Sequence, residues 1–223
     1  MGGSIVTGRI IETDVDVAEG AAWLAAQDPA LAHALEVAGP LPLRRRPDGF
    51  AALLNAIVGQ QVSTASAAAI WSRIEAAGLT SPGPVLAAGE TGLRAVGLSR
   101  QKISYATALA EAGIDYEALR CQPDGEVIAT LTAVKGIGVW TAEIYAMFSL
   151  GRADVFAPGD LALQEAARMI YELPERPKEK DLRQMARAWS PWRAVAARLF
   201  FTYYRVAKGR EGLHDTSVKV RTG

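Results

Sequence analysis

The sequence predicts an all-α protein, and three observations predict it. Apolar residues recur at i, i+3 and i+4 through most of the chain, the spacing of one helix face. Glycine and proline cluster at intervals that cut this pattern into helix-sized pieces. No stretch of any length alternates apolar and polar residues as a half-buried strand does, and nothing repeats at a fixed period. With 223 residues, 50% of them apolar, the chain is long enough to bury a real core.

The elements follow in order. Residues 1 to about 15 mix polar and apolar types without a period and are expected to start the chain in a loose or extended form. Asp16 to Val37 is Ala-rich with helical spacing. Asp16 and Glu19 stand at the separation of a capping box, and Asp28-Pro29 reads as the cap and first turn of a second helix. Gly39-Pro40-Leu41-Pro42 ends that helix. Arg44-Arg45-Arg46 is a basic block, read first as a solvated loop and second as a phosphate contact. Phe50 to Gly59 is a helix and Ser63 to Ala77 the next, with Ser63 as cap; between them lies a tight polar turn with adjacent glutamines, Gln60 and Gln61. Thr80 to Ile114 is helical, interrupted at Ser81-Pro82-Gly83-Pro84 and at Gly97-Leu98-Ser99. Lys102 begins a helix there, by default as an exposed lysine that is also placed to touch phosphate. Short helices from Asp115 to Ile128 follow. Towards the C-terminus, Leu161 to Tyr171 is a helix ended by Leu173-Pro174, Arg176 to Lys180 is a charged connector, and Asp181 to Trp189 and Pro191 to Lys208 are helices. The last carries Trp192, Phe200, Phe201, Tyr203 and Tyr204, an aromatic stripe of the kind that faces a core.

Composition excludes several classes. Cys121 is the single cysteine, which rules out a disulfide framework and a cysteine-built zinc site. No apolar run approaches the roughly 20 residues that span a bilayer, and the N-terminus lacks a basic-then-apolar leader pattern; a cytosolic protein is expected. Lys and Arg total 24, as do Asp and Glu. That balance argues weakly against a nucleic-acid partner, whose binders are usually basic. The 44–46 block and the Lys/Arg-rich stretch from Arg193 to Arg221 soften the objection.

The most informative stretch runs from Leu131 to Gln164. Val127 to Val134 forms a short helix that ends at Lys135. Gly136 and Gly138 then supply two positions that tolerate positive φ and carry no Cβ, which lets a backbone turn sharply and approach a ligand closely. Val139 to Leu150 resumes helical spacing. A hairpin followed by a helix N-terminus offers free amides to a phosphate oxygen, here around Lys135, Gly136, Ile137, Gly138 and Thr141. Pro158-Gly159 next breaks the chain before Asp160, which heads a new helix. Asp160 is a favoured N-cap, worth roughly 1 kcal/mol. A cap position also fixes a carboxylate at a loop edge.

VKGIGVWTAE followed by DVFAPGDLAL resembles the helix-hairpin-helix (HhH-GPD) DNA glycosylase superfamily, and within it the monofunctional alkylbase enzymes of the 3-methyladenine DNA glycosylase II type. LLNAIVGQQVSTASAAAIWSRI upstream and AWSPWRAVAARLFFTYYR downstream agree, giving four motifs in order over roughly Phe50 to Arg205. The resemblance implies a two-lobed helical fold with a cleft. One lobe is expected from residues 1–48 with 165–223. The other, residues 49–164, is expected to carry the helix-hairpin-helix at 131–150. Only about fifty residues precede Phe50, so the β-rich N-terminal domain of some relatives is expected to be absent or vestigial.

The resemblance also assigns roles. Asp160 becomes the catalytic carboxylate. Gln61, with Gln60 beside it, becomes the wedge that fills the gap left by an extruded nucleotide. Trp140 and Phe201, with Tyr145 third, become the aromatic walls of a base pocket, although for Trp140 a core role is equally open. Bifunctional members carry a lysine just after the hairpin, where this chain has Trp140, so hydrolysis without a Schiff base is implied. Relatives with an iron–sulfur cluster use four cysteines, so no such cluster is expected. No other cofactor is implied beyond a monovalent cation held by hairpin carbonyls near Val134 and Ile137. The expected partner is double-stranded DNA containing damaged bases, met by a monomer; no membrane is involved.

The chemistry is consistent with those assignments. Alkylation at N3 or N7 puts positive charge on a purine, which then leaves without a strong general acid, and the two histidines, His33 and His214, lie outside the motifs. A carboxylate near the sugar is still required to stabilise an oxocarbenium-like state. Aromatic faces add roughly 0.5–2 kcal/mol of cation–π attraction to a cationic base. Two further readings stay open on sequence alone: a non-catalytic helix-hairpin-helix DNA-binding module with Asp160 only a cap, and a glycosylase for oxidised or mismatched bases.

Overall fold

A computed structural model describes residues 8–219, with side chains through residue 209. Its described residues form twelve α-helices and no sheet. They are α1 Asp14–Gln27, α2 Pro29–Ala38, α3 Phe50–Gly59, α4 Thr64–Ala76, α5 Pro82–Ala95 and α6 Arg100–Glu111. The second half adds α7 Tyr116–Cys121, α8 Asp124–Thr132, α9 Val139–Phe148, α10 Leu161–Ile170, α11 Glu179–Met185 and α12 Arg193–Lys219. A short 3₁₀ turn, Ala186–Trp189, joins the last two. The all-α reading stands.

The chain divides into two compact units, Arg45–Leu150 and Arg9–Arg44 with Gly151 onward. The division expected from the sequence put residues 49–164 together. In the structure the stretch from Gly151, Asp160 included, belongs with α1, α2 and α12 instead. The physical reason is an extended pairing: Ile11 donates to the Gly151 carbonyl at 2.7 Å and Ala153 to that of Arg9 at 3.0 Å. This bridge of Ile10 with Arg152 takes up the described part of the expected extended start; residues 1–7 lie outside the described residues.

The second unit is built on α12, which packs against α1, α2 and α10. Phe200 is fully buried, with the ring of Trp189 4.8 Å away and that of Phe156 6.0 Å away between centroids. Trp192 is buried as well, whereas Phe201, Tyr203 and Tyr204 are only half-buried, so the aromatic stripe is core on one side alone. Asp154 ties the loop before α10 to the start of α12. Its carboxylate accepts from Arg193 Nε at 2.6 Å and Nη2 at 2.9 Å; Ser190 Oγ donates to it at 2.8 Å. A forked guanidinium–carboxylate pair of this kind holds geometry as well as charge.

Capping explains where these helices begin. Asp16 accepts from the Glu12 and Thr13 amides at 3.1 and 2.9 Å, so the capping box is Thr13 with Asp16, one turn earlier than expected. Glu19 is used elsewhere, by Arg9 at 2.8 Å. The two amides, with the Thr13 hydroxyl, hold the Asp16 carboxyl down to about 2. Asp28 caps α2 through the Ala30 amide at 2.9 Å, as the Asp-Pro pair predicts.

In the first unit α6 packs on α3 and α5, α4 packs on α3, and α8 packs on α9. Two residues of the Arg44–Arg46 block lie here and are not simply solvated. Arg45 donates to the Ser149 carbonyl at 2.8 Å, and the Arg46 guanidinium lies 5.7 Å from the centre of the Phe148 ring. Both bind the segment to the end of α9.

Candidate nucleic-acid and catalytic site

The hairpin between α8 and α9 is built on one obligatory glycine. Gly136 has φ +97°, and a Cβ there would lie 2.3 Å from Cγ of Tyr105. Backbone conformation and space both demand glycine. Gly138, which could tolerate a positive φ, does not use it: φ is −85° and it stands as the N-cap of α9. Nothing lies within 4 Å of a Cβ built there, so its value is the open space in front of it. Lys135 is exposed and donates to Ser104 Oγ at 3.1 Å. Ile137 and Thr141 turn their side chains into the core, at 4% and 7% exposure. The Ile137 amide is committed to the Val134 carbonyl at 3.0 Å, whereas the Thr141 amide lies in the first turn of α9, where amides have no partner within the helix. Val139 and Trp140 project instead, at 46% and 47% exposure.

The glutamine turn sits beside this hairpin in the same unit. Gln61 has φ +55° and is exposed. Gln60 lies partly buried and donates from Nε2 to the Gly136 carbonyl at 2.9 Å. Lys102 is the clearest departure from the sequence reading: it is buried, and its Nζ donates to the Val58 carbonyl at 2.6 Å. Ser99 caps α6, accepting from the Lys102 amide at 3.4 Å. This sets the lysine on the face towards the C-terminal end of α3, whose last carbonyls have no partner within their own helix. Burial lowers the pKa of the ammonium. Gln60, Gln61, Lys102, Tyr105, Gly136 and Gly138 line a concavity of about 570 Å³.

Asp160 lies in the second unit and is the cap it was expected to be. The Asp160 amide donates to the Ala157 carbonyl at 3.0 Å. Its Oδ1 accepts from the amides of Ala162 at 2.8 Å and Leu163 at 3.3 Å. Behind it, the buried Gln164 donates to the Pro158 carbonyl at 2.8 Å, fixing the Pro-Gly turn that presents the acid. Asp160 keeps partial exposure and Leu161 next to it is 62% exposed. The structure shows the cap: the carboxylate is held by two amides and keeps partial exposure.

The aromatic candidates separate. Trp140 is exposed on the hairpin's helix. Tyr145 is a core residue of the first unit, 5% exposed, its hydroxyl oxygen accepting from the Gly49 amide at 2.7 Å. Burial pushes its phenol up to about 12. It supports the start of α3 and presents no face to a ligand, so a place in a base pocket does not fit it. Phe201 lines a concavity of about 990 Å³ within the second unit, with Val17, Ala21, Leu41 and Arg205 among its walls. Arg44 lines it too, its guanidinium 5.1 Å from the centre of the Phe201 ring. Asp160 is not among those walls, so this cavity does not join Phe201 to the carboxylate. Sequence reasoning missed Tyr105, whose ring backs Gly136; its position three residues after Lys102 on one helix face was the available signal. Among the described residues no group of three or more His, Cys, Asp or Glu is placed to hold a metal ion.

An all-α chain with a glycine hairpin, a glutamine turn fastened to it and an amide-held aspartate at a following helix start has the parts of a helix-hairpin-helix DNA-repair protein. A family model described as HhH-GPD superfamily base excision DNA repair protein matches residues 54–192, more than half of the chain, and the chain belongs to that superfamily. It is 32% identical over 155 residues to DNA-3-methyladenine glycosylase 1 of Schizosaccharomyces pombe, covering 65% of this chain and 68% of that protein. Among solved structures it is similar to a DNA-3-methyladenine glycosidase from Bacillus halodurans, at 34% identity and a TM-score of 0.76 over 86% of this chain and 89% of that one. It is also similar to the 3-methyladenine DNA glycosylase of Schizosaccharomyces pombe in complex with abasic DNA. That match has 28% identity and a TM-score of 0.69 over 82% of this chain and 95% of that chain.

Proposed function

We propose that this member of the superfamily is a monofunctional, monomeric cytosolic DNA glycosylase that hydrolyses the N-glycosidic bond of alkylated purines in duplex DNA and leaves an abasic site. The observation that carries the reading is Asp160, an accessible carboxylate whose position is set by two backbone amides and a braced Pro-Gly turn. Relatives named for 3-methyladenine support the substrate class.

The mechanism follows from what these residues can do. Amides at the hairpin and at the start of α9 take a phosphate oxygen, with the open space before Gly138 allowing close approach. Gln61 projects to occupy the duplex where a nucleotide has left it. An alkylated purine already carries positive charge and leaves as a neutral base. Asp160 then has two tasks, to stabilise the positive charge that develops on the sugar and to orient water to C1′, whose proton its carboxylate can accept. The exposed Trp140 offers an electron-rich face to a cationic base. A monovalent cation at the hairpin fits the carbonyl chemistry: the Val134 oxygen accepts one bond, from Ile137 at 3.0 Å, and a carbonyl has a second lone pair. Such a cation would be held near Val134 and Ile137 and would add positive charge facing phosphate.

Trp140 in place of a lysine makes the product testable. A duplex with a single alkylated purine is expected to yield abasic sites that break only on alkali treatment, and borohydride is expected to trap no covalent complex. A trapped adduct or direct strand scission would replace this reading with a lyase acting through an amine.

A further inference from the structure

The two glutamines of the α3–α4 turn do different work. Gln61 stands at the tip with φ +55°, exposed. Gln60 points the other way, into the protein, and its Nε2 is committed to the Gly136 carbonyl at 2.9 Å. Behind both runs α6. Lys102 from that helix donates to Val58 at 2.6 Å, in the last turn of α3. Tyr105, next along the same face, lies against Gly136 so closely that a Cβ there would meet its ring at 2.3 Å. The turn and the hairpin are therefore joined directly through Gln60 and braced by one shared helix.

We infer that Gln60 is a positioning residue for Gln61 and not a second wedge: its bond to Gly136 sets the turn at a fixed offset from the hairpin, so that gripping the backbone and filling the duplex are one rigid action. Gln60 itself makes no contact with DNA bases. Lys102 and Tyr105 serve the same end from behind, one by holding the carbonyl end of α3, the other by seating the hairpin glycine. The inference rests on the DNA glycosylase reading, since it presupposes a duplex for Gln61 to enter.

A double-mutant cycle separates positioning from contact, because a residue that acts only through another has no effect once the other is gone. Wild type, Gln60→Met, Gln61→Ala and the double variant are compared; methionine keeps the bulk of Gln60 and removes its donor. Two readouts are taken. One is single-turnover release of base from methylated duplex. The other is the fluorescence of 2-aminopurine placed beside a tetrahydrofuran abasic site, which reports filling of the helix without chemistry. Each single variant is expected to weaken both signals by about tenfold, the scale of one lost hydrogen bond to a positioned group. The double variant is expected to be no worse than Gln61→Ala, with binding to undamaged duplex unchanged by Gln60→Met. Losses that multiply in the double variant would show that Gln60 touches DNA itself, and an unaffected Gln60→Met would show that the bond positions nothing; either overturns the inference. Should the wild type release no base yet change the 2-aminopurine signal, the alkylpurine reading falls and the cycle in fluorescence still decides the role of Gln60.

Discussion

Asp160→Asn is expected to lower single-turnover base release by roughly 10²–10³-fold, the scale on which one preorganised electrostatic group acts in a transition state. The variant isolates charge from structure. Asn is as good an N-cap as Asp, and its carbonyl oxygen can keep the Ala162 and Leu163 amides that Oδ1 now accepts at 2.8 and 3.3 Å. Melting temperature and binding to abasic duplex should therefore stay close to wild type. Asp160→Ala would be the poorer experiment, because losing the cap costs about 1 kcal/mol by itself. Release at the wild-type rate by Asp160→Asn would return Asp160 to a purely structural cap.

The second large effect is at the hairpin, where two glycines should respond differently. Gly136→Ala meets two penalties. A non-glycine residue at φ +97° costs about 1–3 kcal/mol, and overlap with the Tyr105 ring adds overpacking of similar size. A loss of about 3 kcal/mol corresponds to a fall in melting temperature of about 10 °C for a chain of this length, with DNA affinity lost alongside. Gly138→Ala has φ −85° and open space for the methyl group. The N-cap preference it loses is offset by the reduced freedom of the unfolded chain, so its stability should change by less than about 1 kcal/mol. Its methyl group stands where a phosphate would approach, and duplex affinity should drop by about tenfold. Thermal melting and fluorescence-anisotropy titration check both. Equal affinity loss without destabilisation in both variants would contradict this account of the hairpin.

How much of this was legible in the sequence depended on whether the deciding contacts are local. Caps and turns are local, and Asp28, Ser63 and Asp160 each head a helix as their residue types predict. The hairpin glycines are legible as a turn, but that Gly136 also has no room for a Cβ is not, because the ring that fills that space belongs to Tyr105, distant in sequence. Lys102 shows the same limit. Nothing in its neighbours says that an ammonium will be buried against the end of α3; that follows from α6 packing on α3. Tyr145 was misjudged for a related reason, since an aromatic residue at helical spacing reads alike whether it faces core or ligand, and the Gly49 amide settles it. The unit boundary moved because an extended pair at Ile10 and Arg152 is too short to leave a periodic signal.

Chromatography of the bases that the wild-type protein releases from methylated duplex DNA tests the central claim most directly. The account predicts free alkylated purine, 3-methyladenine foremost, with the sugar–phosphate strand left intact. A folded, duplex-binding protein that releases no alkylated base would contradict it.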